Sequence, residues 1–199
     1  DGIIARIPKS SLGISQAKHA KVKTVADLDK ILDKAVAAQA KWVARPAEER
    51  ADILHKVGIE LALRRAELIE VAGAELGKTV GESDVEVSEA VDFAHYYAQQ
   101  SLELGNIEDA TFEPATLTVV ASQRCAGIVM EALYAGGVPK DLAPLVVPEN
   151  RDVARAVIET EKAQRVVLTG SSDTPQMFLG WRPEMGLIGE TSGKNAIIV

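Results

Sequence analysis

The 199-residue sequence predicts an α/β protein in which a helical layer precedes a doubly wound parallel sheet, and three observations carry that prediction. From Thr24 to about Leu104 apolar residues recur at helical spacing, stretch after stretch, with no strand pattern between them. From Thr116 onward short β-branched runs alternate with helical segments, as in a parallel sheet with crossover helices on its faces. Two of the later runs end in loops of unusual composition, Gly170-Ser-Ser-Asp-Thr-Pro175 and Glu190-Thr-Ser-Gly-Lys-Asn195.

Residues 1–23 are polar, with a Ser-Ser-Leu-Gly turn, and are expected to form an extended or loosely ordered lead-in. Thr24 has the character of an N-cap, with Asp27 in the capping-box position, and Leu28, Ile31, Leu32, Ala35 and Ala38 form the apolar face of a helix running to about Trp42. Arg45-Pro46 interrupts it. The next helix has Pro46 in its first turn and presents Ile53, Leu54, Val57, Leu61 and Leu68, while Glu48, Glu49 and Asp52 favour the positive end of its dipole. Ala66 to Leu76 forms a further helix stopped by Gly77. The longest runs from Glu82 to about Leu104, with Ser83 as cap, a stripe of Val87, Ala90, Val91, Ala94 and Ala98, and Phe93, Tyr96 and Tyr97 thickening the buried face. Then follow a strand at Thr116–Ala121, a helix from Arg124 to Ala135 stopped by Gly136-Gly137, a short strand at Leu145–Val147 and a helix from Asp152 to Thr160. Strands at Arg165–Thr169, Gly186–Gly189 and Ala196–Val199 close the chain.

Composition excludes several classes. The net charge of −7 comes without any basic cluster interleaved with aromatics, so nucleic acid is not an expected partner. No apolar run approaches the roughly eighteen residues that span a bilayer, and the start lacks a signal pattern, so a cytoplasmic location is expected. One cysteine, Cys125, rules out an internal disulfide, and His19, His55 and His95 stand too far apart in sequence for a metal motif, so no metal is expected. His55 falls among apolar positions and reads as a packing residue.

The chemistry lies near the carboxyl ends of the last strands, where open α/β sheets bind ligands. Gly170 removes the Cβ that would hold a ligand off the backbone, and the hydroxyls and N–H groups after it suit a phosphate where a helix begins. Gly186–Gly189 delivers Glu190 to a strand end, where a carboxylate can act as a base. With Leu168-Thr-Gly-Ser171 followed by Glu190-Thr-Ser-Gly-Lys194, the sequence resembles the aldehyde dehydrogenase superfamily. Phe178-Leu-Gly-Trp-Arg-Pro183 ahead of Glu-Thr-Ser-Gly-Lys-Asn resembles the branch that oxidises L-glutamate γ-semialdehyde, the open form of 1-pyrroline-5-carboxylate, in proline breakdown. Glu75-Leu-Gly-Lys78 and Gly136-Gly-Val-Pro139 add to the resemblance.

That resemblance implies a Rossmann-like cofactor domain taking NAD and a small aldehyde substrate. Gly170 and Ser171 would stand beside the pyrophosphate, Thr191 would face the nicotinamide amide with its carbonyl, and Glu190 would be the general base for thioester hydrolysis. It further implies a homo-oligomer at full length and a fusion behind a flavin-dependent proline dehydrogenase. Asp173 and Pro175 depart from the commoner glycine-ended form of the turn. Two larger departures stand out. The family's Pro-Trp-Asn loop and the following lysine-ended strand are absent, because Ser122 passes straight into Gln123-Arg-Cys125. The nucleophilic cysteine of a separate catalytic domain has no counterpart, since Cys125 lies at the wrong place in the order with no adjacent base.

A strand missing from mid-sheet would leave backbone groups unpaired at about 1–3 kcal/mol each, so the sequence reads as a partial record of a longer chain. Its expected division is a lead-in over 1–23 and a partial NAD-binding domain over 24–199, helical over 24–105 and β/α over 115–199, inactive by itself. Two other readings remain: a non-catalytic structural or oligomerisation module of the same fold, and an unrelated Rossmann-like binding domain, against which the lack of any GxGxxG weighs.

Overall fold

The computed structural model describes residues 2–105 and 122–191. Nine helices and four short strands are present among them: α1 (Gly2–Arg6), α2 (Ile14–His19), β1 (Lys21–Val22), α3 (Val25–Val43), α4 (Ala47–Leu63), α5 (Arg65–Leu76), α6 (Val80–Gly105), α7 (Gln123–Gly136), β2 (Val147–Pro148), α8 (Arg151–Glu159), β3 (Arg165–Gly170), α9 (Asp173–Trp181) and β4 (Gly186–Thr191). The strands expected at Thr116–Ala121 and Ala196–Val199 lie outside the described residues.

The helix boundaries follow local chemistry. Thr24 accepts the Asp27 N–H at 3.1 Å and caps α3, and Gly77 ends α5 at φ +71°, a left-handed conformation that costs glycine no Cβ strain. Ser83 does not cap α6 as expected. The box sits one turn earlier, where the Thr79 N–H donates to Glu82 Oε2 at 2.9 Å and the Glu82 N–H to Thr79 Oγ1 at 3.3 Å. Ser83 is instead buried and donates to the Thr79 carbonyl. Pro46 stands just before α4 instead of inside its first turn, and Leu68 belongs to α5, across the break at Arg64.

The first 23 residues are not an extended lead-in. They fold into α1, a single 3₁₀ turn, α2 and β1, and Arg124 ties them down by donating to the Leu12 carbonyl at 2.8 Å and the Ser10 carbonyl at 2.9 Å. The reason is distance in sequence: Arg6 finds its partner 64 residues away at Glu70, and the partner of Ser10 and Leu12 lies more than a hundred residues away at Arg124. Ser122 caps α7, its hydroxyl accepting from the Cys125 N–H at 3.4 Å and its carbonyl from the Ala126 N–H at 3.0 Å.

Two apolar clusters hold the chain. The first joins α4 through α7, around Ile53, Val57, Leu61, Leu68, Ile69, Val71, Val87, Ile128 and Ala132. The second joins α3, α8 and the strands, around Val22, Leu28, Leu32, Val146, Val153, Val157, Ile158 and Met185. Helix α3 touches both, since Trp42 near its far end packs on the first cluster. Burying a leucine such as Leu28 or Leu32 contributes about 1.5–3 kcal/mol, enough for either cluster to fix its helices. Phe93, Tyr96 and Tyr97 do not thicken the core: they stand outside it, the tyrosines more than half exposed and packed edge to face on each other. Their α6 stripe turns inward as expected, with Val87 and Ala98 buried and Ala90, Val91 and Ala94 partly buried against the first cluster, so the aromatics fall on the neighbouring face.

The sheets are small and parallel. β1 pairs with β2, and β3 pairs with β4 in a register that sets Thr169 against Glu190 and Gly170 against Thr191. Among the described residues β3 and β4 are covered on one side only: Val166 and Leu187 pack on the second cluster, whereas Val167 and Ile188 are more than half exposed. The expectation of crossover helices on both faces of the sheet is met on one face of β3 and β4 among the described residues.

Two consequences are measurable. A Cβ at Gly136 would stand 2.8 Å from the Val57 backbone nitrogen, whereas one at Gly180 meets nothing within 4 Å. Gly136→Ala should cost about 1–3 kcal/mol by overpacking, and Gly180→Ala should stabilise by about 0.5–1 kcal/mol, both read from urea melts. Glu70 is 5% exposed and receives Arg6 Nε at 2.6 Å. Burial alone would raise its carboxyl pKa, but the bonds from Arg6 and Ser10 and the charges of Arg6 and Arg124 outweigh it and hold the group below the usual glutamate range. Its stabilising contribution is therefore complete above the unfolded glutamate pKa, about 4.3, and disappears as pH falls through the lower folded value. The stability advantage of the wild type over Glu70→Gln should shrink with that sign.

Candidate functional site

The carboxyl ends of β3 and β4 bring the expected site residues together. The strand register places Glu190 beside Thr169 and Thr191 beside Gly170, and Ser171 follows at the bend. Glu190 and Thr191 are exposed at that edge, not packed into hydrocarbon, so the described residues give Glu190 no desolvated surroundings. Residues 192–195, with Lys194 and Asn195, lie outside the described residues.

The bend is open. A Cβ built on Gly170 would meet only Leu168 Cδ1, at 4.0 Å. Ser171 O accepts the Thr174 N–H at 3.2 Å, and the Ser171 and Thr174 hydroxyls lie 3.2 Å apart. Ser172 precedes α9 without a side-chain cap; with the Thr174 N–H donated to Ser171 O and Pro175 lacking an N–H, Asp173 alone among the first three residues of α9 has an N–H to offer an anion. Asp173 puts a carboxylate in that first turn, which opposes an anion electrostatically.

Sequence reasoning missed a slot between α8 and α9. It holds about 240 Å³ with an almost wholly apolar surface, between Pro148, Arg151, Ala154 and Ile158 on one wall and Met177, Phe178 and Trp181 on the other. Phe178 and Trp181 pack 5.6 Å apart, and the Arg155 guanidinium lies 5.6 Å over the Trp181 ring. Both helices start after strand carboxyl ends, so a flat ring in the slot could reach the bend through a phosphate linkage. The signal available in the sequence was the Met177, Phe178 and Trp181 spacing on a short helix with no buried residue.

Glu75 and Cys125 form a separate arrangement. Glu75 accepts from the Ser122 hydroxyl and from the N–H groups of Arg124, at 3.0 Å, and Cys125, at 3.4 Å, so it serves as an anchor for the start of α7 and has no part at the strand ends. Burial raises the Cys125 thiol pKa; the bond with Ser122 offsets part of that, the Glu75 charge raises it again, and Arg124 and Lys78 lower it more weakly. Such a thiol is not an activated nucleophile. His55 and His95 bond through their Nδ1 atoms at 2.9 Å between α4 and α6, which fits the packing role expected of His55. No group of three metal-binding side chains occurs among the described residues, and no helix there is long and apolar enough to cross a membrane.

The aldehyde dehydrogenase family model matches residues 14–110 and 102–199. The chain is 27% identical over 236 residues to the bifunctional protein PutA of Escherichia coli K12, covering 96% of this chain and 17% of that protein. The aligned stretch is longer than the chain itself, so the relative carries residues there that have no counterpart here. With 1-pyrroline-5-carboxylate dehydrogenase 2 of Bacillus subtilis it shares 24% identity over 220 residues, 84% of the chain and 43% of that enzyme. The structure of Proline Utilization A from Corynebacterium freiburgense superposes with a TM-score of 0.77 at 29% identity, over 87% of this chain and 21% of that one. The chain thus spans under half the length of these relatives, and its fold is a partial aldehyde dehydrogenase fold.

At neutral pH Cys125 should react with a disulfide reagent at least about tenfold more slowly in the folded protein than in denaturant, measured by thiol absorbance, and an equal rate would contradict the half-buried thiol of raised pKa described here. The matched residues, the paired strand ends and the structural likeness make the chain a member of the aldehyde dehydrogenase family.

Proposed function

We propose that this chain is the cofactor-binding part of a longer NAD-dependent enzyme that oxidises L-glutamate γ-semialdehyde to glutamate in proline breakdown. The observation that carries the proposal is the register of β3 and β4, which sets the Glu190 carboxylate next to an open Gly170-Ser171 bend. The names of the relatives support the substrate class, and the family's use of NAD or NADP supports the cofactor.

In this reading the backbone at Gly170 and Ser171, with the Asp173 N–H at the start of α9, holds the pyrophosphate, and the slot between α8 and α9 takes the adenine. Apolar walls favour a flat base there, and Arg155 remains outside over Trp181. Thr191 turns its carbonyl towards the carboxamide at the other end of the dinucleotide. The bound dinucleotide supplies the hydride acceptor. Glu190 takes the proton from the water that releases the acyl group, and its exposure here means that the remainder of the enzyme must close over it for efficient proton transfer. Cys125 is unsuited to the nucleophile's task, so that group comes from elsewhere in the longer enzyme, which works as a homo-oligomer in the cytoplasm and is joined to a flavin-dependent proline dehydrogenase.

Calorimetry with NAD tests the cofactor reading directly: the chain should bind it, and Ala154→Trp, which fills the slot, should weaken binding by about tenfold or more. In the full-length enzyme Glu190→Gln should lower turnover by about 10²–10⁴-fold with little change in NAD affinity. If the chain takes up no NAD and the Gln variant keeps full activity, the alternative of a non-catalytic module is the better account.

A further inference from the structure

A second cavity, apart from β3, α9 and β4, opens between α2, α7 and the loop that follows α7. It holds about 460 Å³ and is lined by Gln16 and His19 from α2, Gly127, Met130, Glu131 and Tyr134 from α7, and Lys140, Pro144 and Leu145 from the loop. Met130, Pro144 and Leu145 give it an apolar floor. Its rim carries a carboxylate and an ammonium that have not collapsed onto each other. Glu131 and Lys140 make no ion pair among the described residues, with each other or with any other charge.

Each charge is held in position by a neutral group. Glu131 Oε1 accepts from the Gln16 amide, which leaves Oε2 without a donor among the described residues. The Lys140 ammonium sits 5.6 Å above the Tyr134 ring, and that ring is fixed by its hydroxyl, which donates to the Ala143 carbonyl at 2.8 Å. Two unlike charges kept apart over an apolar floor are complementary to a ligand that carries both charges at one end and a hydrocarbon body at the other.

We propose that this cleft binds a free α-amino acid with an apolar side chain, its ammonium on Glu131, its carboxylate on Lys140 and its side chain against Met130, Pro144 and Leu145. The site is distinct from the cofactor bend and does not depend on the dehydrogenase reading. L-leucine, titrated into the 199-residue chain by calorimetry, is the probe, with isovalerate and isoamylamine as ligands that keep only one of the two charges. L-leucine should bind saturably, and each half-ligand about tenfold or more weakly. Lys140→Met and Glu131→Gln should each lower L-leucine affinity about tenfold, with circular dichroism melts confirming the fold, since the amide introduced by Glu131→Gln can still accept from Gln16. Lys162→Met, which removes a lysine paired with Asp29 and Asp33 outside the cleft lining, should leave it unchanged. Absence of saturable L-leucine binding, equal affinity for either half-ligand, or unaltered affinity in both cleft variants would overturn the proposal.

Discussion

Parallel pairing of β3 with β4 is the constraint on which the candidate site depends. Two parallel strands cannot be joined by a hairpin, so the chain must cross over through α9, and that crossover brings the end of one strand, with Gly170, beside the end of the other, with Glu190. A two-stranded sheet has little stability of its own. Here it is carried by the second cluster, against which Val166 and Leu187 pack and which draws Val153, Val157 and Ile158 from α8 and Leu28 and Leu32 from α3. Arg182 adds a polar clamp, donating at 2.6 Å to the carbonyls of Thr160 and Ala163 and so holding the end of α9 to the turn before β3. The bend and the carboxylate are therefore positioned by a core containing neither.

The first cluster has a different task. It packs α4 to α7 into a rigid block to which the N-terminal segment is fastened through Arg124 and Glu70. Glu75 reaches from the end of α5 to the start of α7, satisfying backbone donors that a helix N-terminus otherwise leaves open. Charge is used here to join helices. At the exposed strand end Glu190 makes no ion pair among the described residues.

What was legible in the sequence was local. Thr24 with Asp27, Gly77 after Leu76, and the alternation of strand and helix after Gln123 all depend on residues a few positions apart, and each appears in the structure near its expected place. The pairing of the Gly170 bend with Glu190 was also legible, because strand ends of an open parallel sheet share one edge. The roles that escaped are long-range. Nothing in Glu75-Leu-Gly-Lys78 announces partners at Ser122 and Arg124, and nothing in the polar start announces Arg124. Phe93, Tyr96 and Tyr97 read as core because they interleave with a true apolar stripe, yet a few tens of degrees around a helix separates a buried face from an open one. The slot between α8 and α9 exists only once both helices are packed.

The register of β3 against β4 is the claim from which the rest follows, since a slip of one residue would turn Glu190 to the opposite face. Backbone NOEs in isotopically labelled protein measure it directly. Contacts linking Thr169 with Glu190 and Gly170 with Thr191, running parallel along both strands, are the predicted result. Cross-strand contacts shifted by one residue, or an antiparallel pattern, would contradict the account.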